Sequence, residues 1–314
     1  MRRNTYDGRV KSMFNKIFLI VALIGVPLSV LGKTLHWPET IMFAVYCITI
    51  IALAGFMGRA TESLAIVSGP RIGGLLNATF GNAVELIISI FALQAGLIEV
   101  VLASLTGSVP GNLLIIRRLS LLVGGLKYKR QSFNVYDARH NSALLIFAVV
   151  VAFVIPEIFS MKMDAGKTYQ LSIGVSIIMI IMYIAALLFK LVTHRGVYQH
   201  KSDEVAHEEE PEWSKGKALL ILAIATLAVA YVSEALVHTF ETVAKSFGWS
   251  ELFIGVIIVA IVGNAAEHAS AIIMAYKNKV NIAVEIAIGS TLQIAMFVAP
   301  VLVCYLCSSR RGCL

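Results

Sequence analysis

Charge is scarce in this sequence. Asp, Glu, Lys and Arg make up 14% of its 314 residues, where soluble domains carry about 25%, and 58% of the chain is hydrophobic. A water-soluble enzyme is excluded on that ground. Cysteine is nearly absent: Cys47, Cys304, Cys307 and Cys313 form a single CxxC with no second pair, so neither a disulfide framework nor a zinc site is indicated. No GxxxxGK[ST] phosphate loop and no HExxH is present, which disfavours nucleotide-driven pumping and an intramembrane hydrolase, and no nucleophile and base are placed together. The chain is not read as an enzyme and no cofactor is expected. Acidic residues are outnumbered, giving a net charge of +7. That excess is assigned to membrane topology rather than to a nucleic acid.

What is abundant is apolar sequence, with a mean hydropathy of +0.82. At about 20 residues per crossing, the runs predict nine helices near residues 17–32, 41–57, 73–96, 98–116, 143–160, 171–189, 218–238, 252–275 and 281–306. The first run has no small-residue cleavage site and is read as a span, not a signal peptide. With the N-terminus inside, one side collects 18 Lys and Arg and the other only Lys33, Lys162, Lys167 and Lys245. The positive-inside rule therefore favours a cytoplasmic N-terminus. The chain divides into an arm and first helix (1–40), a first transmembrane repeat (41–199), an acidic cytoplasmic linker (200–217), a second repeat (218–306) and an atypical tail (307–314). The linker, with six carboxylates between Asp203 and Glu212, reads as a solvated connector, with a weak role in gathering cations as the alternative.

The two halves share a pattern. GNAVELIISIFAL from Gly81 and GNAAEHASAIIMA from Gly263 both begin GNAxE, and the same offset of 182 carries Gly107-Ser108 onto Gly289-Ser290. Five helices per repeat, an odd number, would invert the second copy in the membrane. This is the plan of secondary transporters that bind ions at mid-membrane where the copies meet. The fold class is therefore an all-α polytopic membrane protein with about nine transmembrane helices in an inverted-repeat architecture.

An ionised carboxylate at mid-membrane costs about 2.5–3.5 kcal/mol on insertion scales, so Glu85 and Glu267 stand out. Each follows an asparagine by three residues, Asn82 and Asn264, so that amide and carboxylate share a helix face. Gly81 and Gly263 allow close approach and local loosening of the helix. The donor set is all oxygen, which suits a hard cation such as Ca²⁺ rather than a soft transition metal. A buried pair of carboxylates is neutralised by a divalent cation or by protons, but not by both, and exchange requires that exclusivity. Glu62 and Glu234, near helix ends, are candidates for proton relay or cation access. His268 is another, although one step beyond Glu267 it should point elsewhere on the helix. Ser108, Ser290 and Gln293, with Gly81 and Gly263, are read as pore lining. Glu285 has no counterpart at the offset, since position 103 is alanine.

In these residues the chain resembles the calcium/cation antiporter superfamily, and specifically the cation/proton exchanger (CAX) family of Ca²⁺/H⁺ antiporters. GNAVELIISIFAL and GNAAEHASAI look like its two signature repeats. GRATE, GSxxxN, the acidic linker and GSTLQIA follow in the family's order, and the likeness spans residues 17–303. It implies export of cytosolic Ca²⁺ against protons, with Glu85 and Glu267 as central ligands for Ca²⁺ and H⁺ and with Asn82 and Asn264 assisting. GNAAEH favours proton coupling, with Na⁺ coupling or another divalent ion as the alternatives. The resemblance also implies residence in the lipid bilayer, at the plasma membrane if the source is bacterial, and a homo-oligomer. Three features depart from the family. Two helices are expected after GSTLQIA, so the second repeat reads as incomplete and the chain as C-terminally truncated, with a non-transporting membrane protein as the competing reading. Arg117-Arg118 interrupts an apolar stretch, and is reconciled if the fourth helix ends at Ile116. Pro110 in GSVPGN favours a kink.

Overall fold

A computed structural model describes residues 2–131, 135–189 and 211–309, and among these it is helical with no strand. In order, the helices are α1 (Arg2–Thr34), α2 (Glu39–Ser68), α3 (Pro70–Phe80), α4 (Ala83–Gln94) and α5 (Ile98–Lys127). Next come α6 (Ser142–Ser160, the apolar part of a helix that begins at Val135), α7 (Ala165–Leu188) and α8 (Lys215–His238). Then follow α9 (Phe240–Phe247), α10 (Glu251–Gly263), α11 (Ala265–Tyr276) and α12 (Val280–Ser309). Seven of these are long and apolar enough to cross a bilayer, or eight if α9 and α10, bent by 115°, count as one span. Their outer faces carry exposed Leu23, Ile48, Leu102, Ile146, Ile181 and Leu227. Such a surface suits lipid, and the chain is an integral membrane protein.

The count of nine continuous spans is corrected at two places, both within GNAxE. The expected third span is broken between α3 and α4, where Asn82 takes φ −105°, ψ 24°. The expected eighth is broken between α10 and α11, where Asn264 takes φ −101°, ψ 10°. Each glycine-asparagine pair costs the helix its rigidity, and the same non-helical conformation at both asparagines divides each span into half-helices. Two further boundaries move. α2 runs to Ser68 rather than residue 57, so Arg59 and Glu62 lie within it. The fourth helix does not end at Ile116: it passes through a π-helical stretch, Gly111–Ile116, and continues to Lys127, so Arg117-Arg118 sits inside it.

Pro110 lacks the N–H that an α-helix would use, and the ladder widens immediately after it. Of the other π stretches, Val150–Val154, Ile254–Val259 and Ile294–Val298, the last begins one residue after the position that matches Gly111 by the offset of 182. The expected atypical tail is helical as far as Ser309. Residues 190–210, most of the acidic linker, lie outside the described residues.

Packing is close because small residues line the contacts, as lipid-embedded bundles require when no hydrophobic force draws helices together. α2 and α8 lie against each other along much of their lengths, burying Ala52, Ala54, Ala60 and Met57 with Ala225, Val229, Val232 and Leu236. An alanine methyl at Gly107 on α5 would lie 2.7 Å from both Cα and O of Val256 on α10, and one at Gly255 would lie 2.6 Å from Ala103 Cβ. α5 and α10 thus meet backbone to backbone. Arg59 joins the start of the second half to α2: its guanidinium lies over the rings of Phe56 (4.4 Å) and Trp213 (5.2 Å) and pairs with Glu212 at 3.2 Å.

Candidate functional site

Both breaks face the same point. α4 and α11 start one residue after Asn82 and Asn264, which puts Glu85 and Glu267 in the first turn of each half-helix. There the unpaired N–H groups and the helix dipole favour negative charge. The expectation that each asparagine shares a helix face with its glutamate is modified, because the asparagines occupy the breaks and make no side-chain capping bond. Gly263 lies against Glu85: a methyl there would come 3.1 Å from Glu85 Cβ. Gly81 lies against the other carboxylate, where a methyl would come 3.3 Å from Glu267 Oε1 and 3.1 Å from Gln293 Oε1. Each glycine makes room for the glutamate of the opposite half.

The Glu85 side chain is fully enclosed. Its Oε1 accepts from Ser108 Oγ at 2.6 Å and from Ser104 Oγ at 3.3 Å, and its Oε2 accepts from Asn264 Nδ2 at 3.4 Å. The Asn264 amide also donates to Ser108 Oγ (3.1 Å) and to the Ala260 carbonyl (2.9 Å). Those acceptors fix which end of the amide is which, leaving Asn264 Oδ1 enclosed with no donor. Glu267 is half-buried as a residue, yet its Oε2 is enclosed and also lacks a donor. The two carboxylates are close enough to interact electrostatically. Around Glu267 the serine is Ser290, which is hydrogen-bonded to the carboxylate and lies 3.2 Å from the Asn82 side-chain amide. Asn112 Nδ2 donates to Ser290 Oγ at 3.1 Å, and Asn112 Oδ1 lies 3.0 Å from His268 Nε2.

The structure therefore brings together Glu85, Glu267, Asn82, Asn264, Ser108, Ser290, Gln293, Gly81 and Gly263. His268 turns toward this network through Asn112 rather than away from it. Glu62 and Glu234 are exposed and stand outside the buried cluster, with Glu62 within electrostatic reach of Arg59. Glu285 is exposed on α12. Ser104 was not singled out by the sequence, and Asn112, the last residue of GSxxxN, was given no role there. They flank Ser108 by one helical turn on either side, and polar residues at a spacing of four in an apolar helix were the available signal. Among the described residues no three of His, Cys, Asp and Glu cluster as a metal site. Oxygen from amides, hydroxyls and the two carboxylates is what the site offers, the chemistry of a hard cation held with few formal charges.

Half-helices meeting at mid-bundle around paired carboxylates define a membrane cation exchanger, and this chain belongs to the sodium/calcium exchanger protein family, which matches residues 38–192 and 217–312. Within it the chain stands with the cation/proton exchangers. It is 71% identical over 290 residues to the Ca²⁺/H⁺ antiporter ChaA of Bacillus subtilis (strain 168), spanning 92% of this chain and 83% of that protein. It is 43% identical over 306 residues to a Ca²⁺/H⁺ antiporter of Aphanothece halophytica, spanning 93% and 82% of the two chains. The solved structure of the selenium-substituted Ca²⁺/H⁺ antiporter protein YfkE superposes with a TM-score of 0.80 at 64% identity, covering 95% of this chain and 83% of that one. At 14% identity, the H⁺/Ca²⁺ exchanger CAX shares the fold alone, with a TM-score of 0.72 over 94% of this chain and 74% of that one.

Proposed function

We propose that this protein exchanges cytosolic Ca²⁺ for protons by alternating exposure of the site between Glu85 and Glu267. The observation that carries the reading is a pair of enclosed oxygens without donors, Asn264 Oδ1 and Glu267 Oε2. A buried acceptor left unpaired costs about 1–3 kcal/mol, and coordination to a cation would relieve that cost at each. The sequence kinship to named Ca²⁺/H⁺ antiporters supports the choice of ions.

Coupling follows from charge. Two bare carboxylates in a low-dielectric bundle repel each other and resist crossing. One Ca²⁺ neutralises both, and so do protons, and the two occupants compete for the same oxygens. A site that moves only when neutral carries Ca²⁺ one way and protons the other. Asn82, Asn264, Ser108, Ser290 and Gln293 complete the lining, while Gly81 and Gly263 admit the opposing glutamates. Glu62 and Glu234, exposed on α2 and α8, would serve ions approaching the bundle. The basic excess supports a cytoplasmic N-terminus, the bacterial relatives support the plasma membrane, and the family resemblance supports a homo-oligomer. The division into two repeats about the linker is part of the same reading.

The test is Ca²⁺ uptake into everted vesicles driven by an imposed pH gradient. Uptake should collapse when the gradient is dissipated and in Glu85→Gln and Glu267→Gln, with both variants inserted at the parent's level. Persistent uptake in either variant would sink the reading, and uptake that follows Na⁺ instead of the pH gradient would replace its coupling ion.

A further inference from the structure

Away from the ion site, at the end of the bundle opposite the linker, lies an open cleft of about 600 Å³, a size within the roughly 300–1,000 Å³ of small-molecule sites. The turn between α4 and α5, the short helix α9 and the start of α10 form its walls. α8 ends at His238, and α9 is set at 115° to α10 instead of continuing across the bundle. Phe240 and Val243 bury one face of α9, while Glu241 and Lys245 on the other are exposed. Gly248 ends the helix at φ 66°, a left-handed conformation that glycine takes without strain, and the chain turns back into α10. There the Trp249 ring meets Phe43 edge-on, 6.5 Å between centroids, and lies 5.0 Å from both Phe247 and Phe253. These rings, with Phe247, Leu252 and Phe253 exposed, form the pattern of a membrane–water interface.

The lining has two parts. Leu97, Val100, Phe240 and Ile254 make it apolar on one side, and Glu241, Lys245 and Glu251 bring charge on the other. Lys245 Nζ lies 2.6 Å from Glu241 Oε1, so Glu251, exposed at the start of α10, is the unbalanced charge of the cleft. The apolar side gains from covering by hydrocarbon. Two carboxylates and one ammonium suit a head group that carries both signs and repel one that is only anionic. A phosphate complements Lys245 and an ammonium complements Glu251. A primary ammonium also donates charge-assisted hydrogen bonds to the carboxylate, which a quaternary one has no N–H to make.

We propose that this cleft binds a phospholipid with a primary-amine head group, its ammonium at Glu251, its phosphate at Lys245 and an acyl chain against Val100 and Ile254. The inference is separate from the exchange reading, but its consequence reaches the ion site through two helices. An alanine methyl at Gly255, next to Ile254, would collide with the Val100 carbonyl, so the lipid rests on the seam where α5 and α10 meet. α5 carries Ser108 and α10 leads to Asn264, whose side chains are bonded to each other at 3.1 Å. A lipid seated on the folded chain braces that seam and raises stability by mass action.

Trp249 lines the cleft and reports its occupancy. With the chain's other two tryptophans replaced (Trp37→Phe, Trp213→Phe), a lipid with brominated acyl chains quenches Trp249 when it seats there. In mixed detergent micelles, brominated phosphatidylethanolamine should half-quench Trp249 at about a fivefold lower mole fraction than brominated phosphatidylcholine or phosphatidylglycerol, near the worth of one partly exposed ion pair. Glu251→Gln should erase that preference, and Ala244→Phe, which narrows the cleft, should weaken quenching by all three lipids. Equal quenching by the three in the parent, a preference for phosphatidylglycerol, or a preference that survives Glu251→Gln overturns the proposal. So does full relief of quenching by water-soluble glycerophosphoethanolamine, which would mark a site for a free amine. In the chain with all its tryptophans, unmodified phosphatidylethanolamine should raise the thermal midpoint by about 3 °C over phosphatidylcholine, and equal midpoints refute the bracing of the seam.

Discussion

Gly107→Ala and Gly289→Ala form a matched pair. The two glycines occupy equivalent positions 182 residues apart, each directly before a serine of the site, and a sequence argument treats them alike. The surroundings do not. A methyl at Gly107 would lie 2.7 Å from Val256 Cα and from Val256 O, whereas one at Gly289 meets nothing within 4 Å. Backbone atoms cannot rotate away, so α5 and α10 must part until the 2.7 Å approach reaches at least 3.4 Å. Ser108 follows Gly107 on α5, and Asn264 ends α10. The same displacement would lengthen their 3.1 Å bond to about 3.8 Å, outside hydrogen-bonding range. Overpacking costs about 1–3 kcal/mol and the lost bond about 1 kcal/mol more. Gly107→Ala should therefore lower stability by about 2–4 kcal/mol. Its KM for Ca²⁺ should rise about tenfold, the equivalent of roughly 1.4 kcal/mol at the site. Gly289→Ala should keep the parental KM and gain up to about 1 kcal/mol from helix propensity. The assay pairs Ca²⁺ uptake in everted vesicles with thermal denaturation of the purified protein. Equal behaviour of the two variants, or a Gly107→Ala protein with parental KM and midpoint, would refute the packing argument.

Other expectations follow from single contacts. Glu85→Gln and Glu267→Gln should each abolish gradient-driven uptake while leaving the chain inserted, as immunoblots of the vesicle membranes would show. Asn264→Leu removes both the unpaired oxygen and the donor that steadies Glu85, so KM for Ca²⁺ should rise at least about tenfold, the loss of a hydrogen bond to a charged group. Asn264→Asp keeps the oxygens and should lose less, and the reverse order would count against an oxygen ligand at this position. Arg59→Leu removes the ion pair with Glu212 and the stacking on Trp213. It should make cleavage near residue 213 by an added protease several times faster and lower stability by about 1–2 kcal/mol. An unchanged cleavage rate would mean that Arg59 does not tether this segment.

Much was legible in the order of residues. Apolar runs of helical length in a chain poor in charge determined an all-helical membrane protein, because nothing else satisfies the backbone in lipid. The duplicated GNAxE determined which carboxylates to single out, because an acid in an apolar run is too costly to place without a use. Periodicity assigns residues to faces of one helix, and Glu85, Asn82, Glu267 and Asn264 could be named on that basis. The breaks were less visible. Hydropathy averages over a glycine-asparagine pair, and the same average hid the π-helical passage that carries the fourth helix beyond Ile116.

What the sequence could not settle was whose atoms each residue would meet. Gly107 and Gly289 are interchangeable as letters, and only the approach of Val256 separates them. His268 should point away from its neighbour's face, yet Asn112 arrives there from another helix and draws it into the site. Ser104 and Asn112 gained their meaning from α5 lying against α4, α10 and α12. The sequence determined the fold class and the charged centre, since both follow from composition and local spacing. The inequality of the two halves was decided by tertiary structure alone, because the contacts that separate Gly107 from Gly289 and bring Asn112 to His268 join residues far apart along the chain.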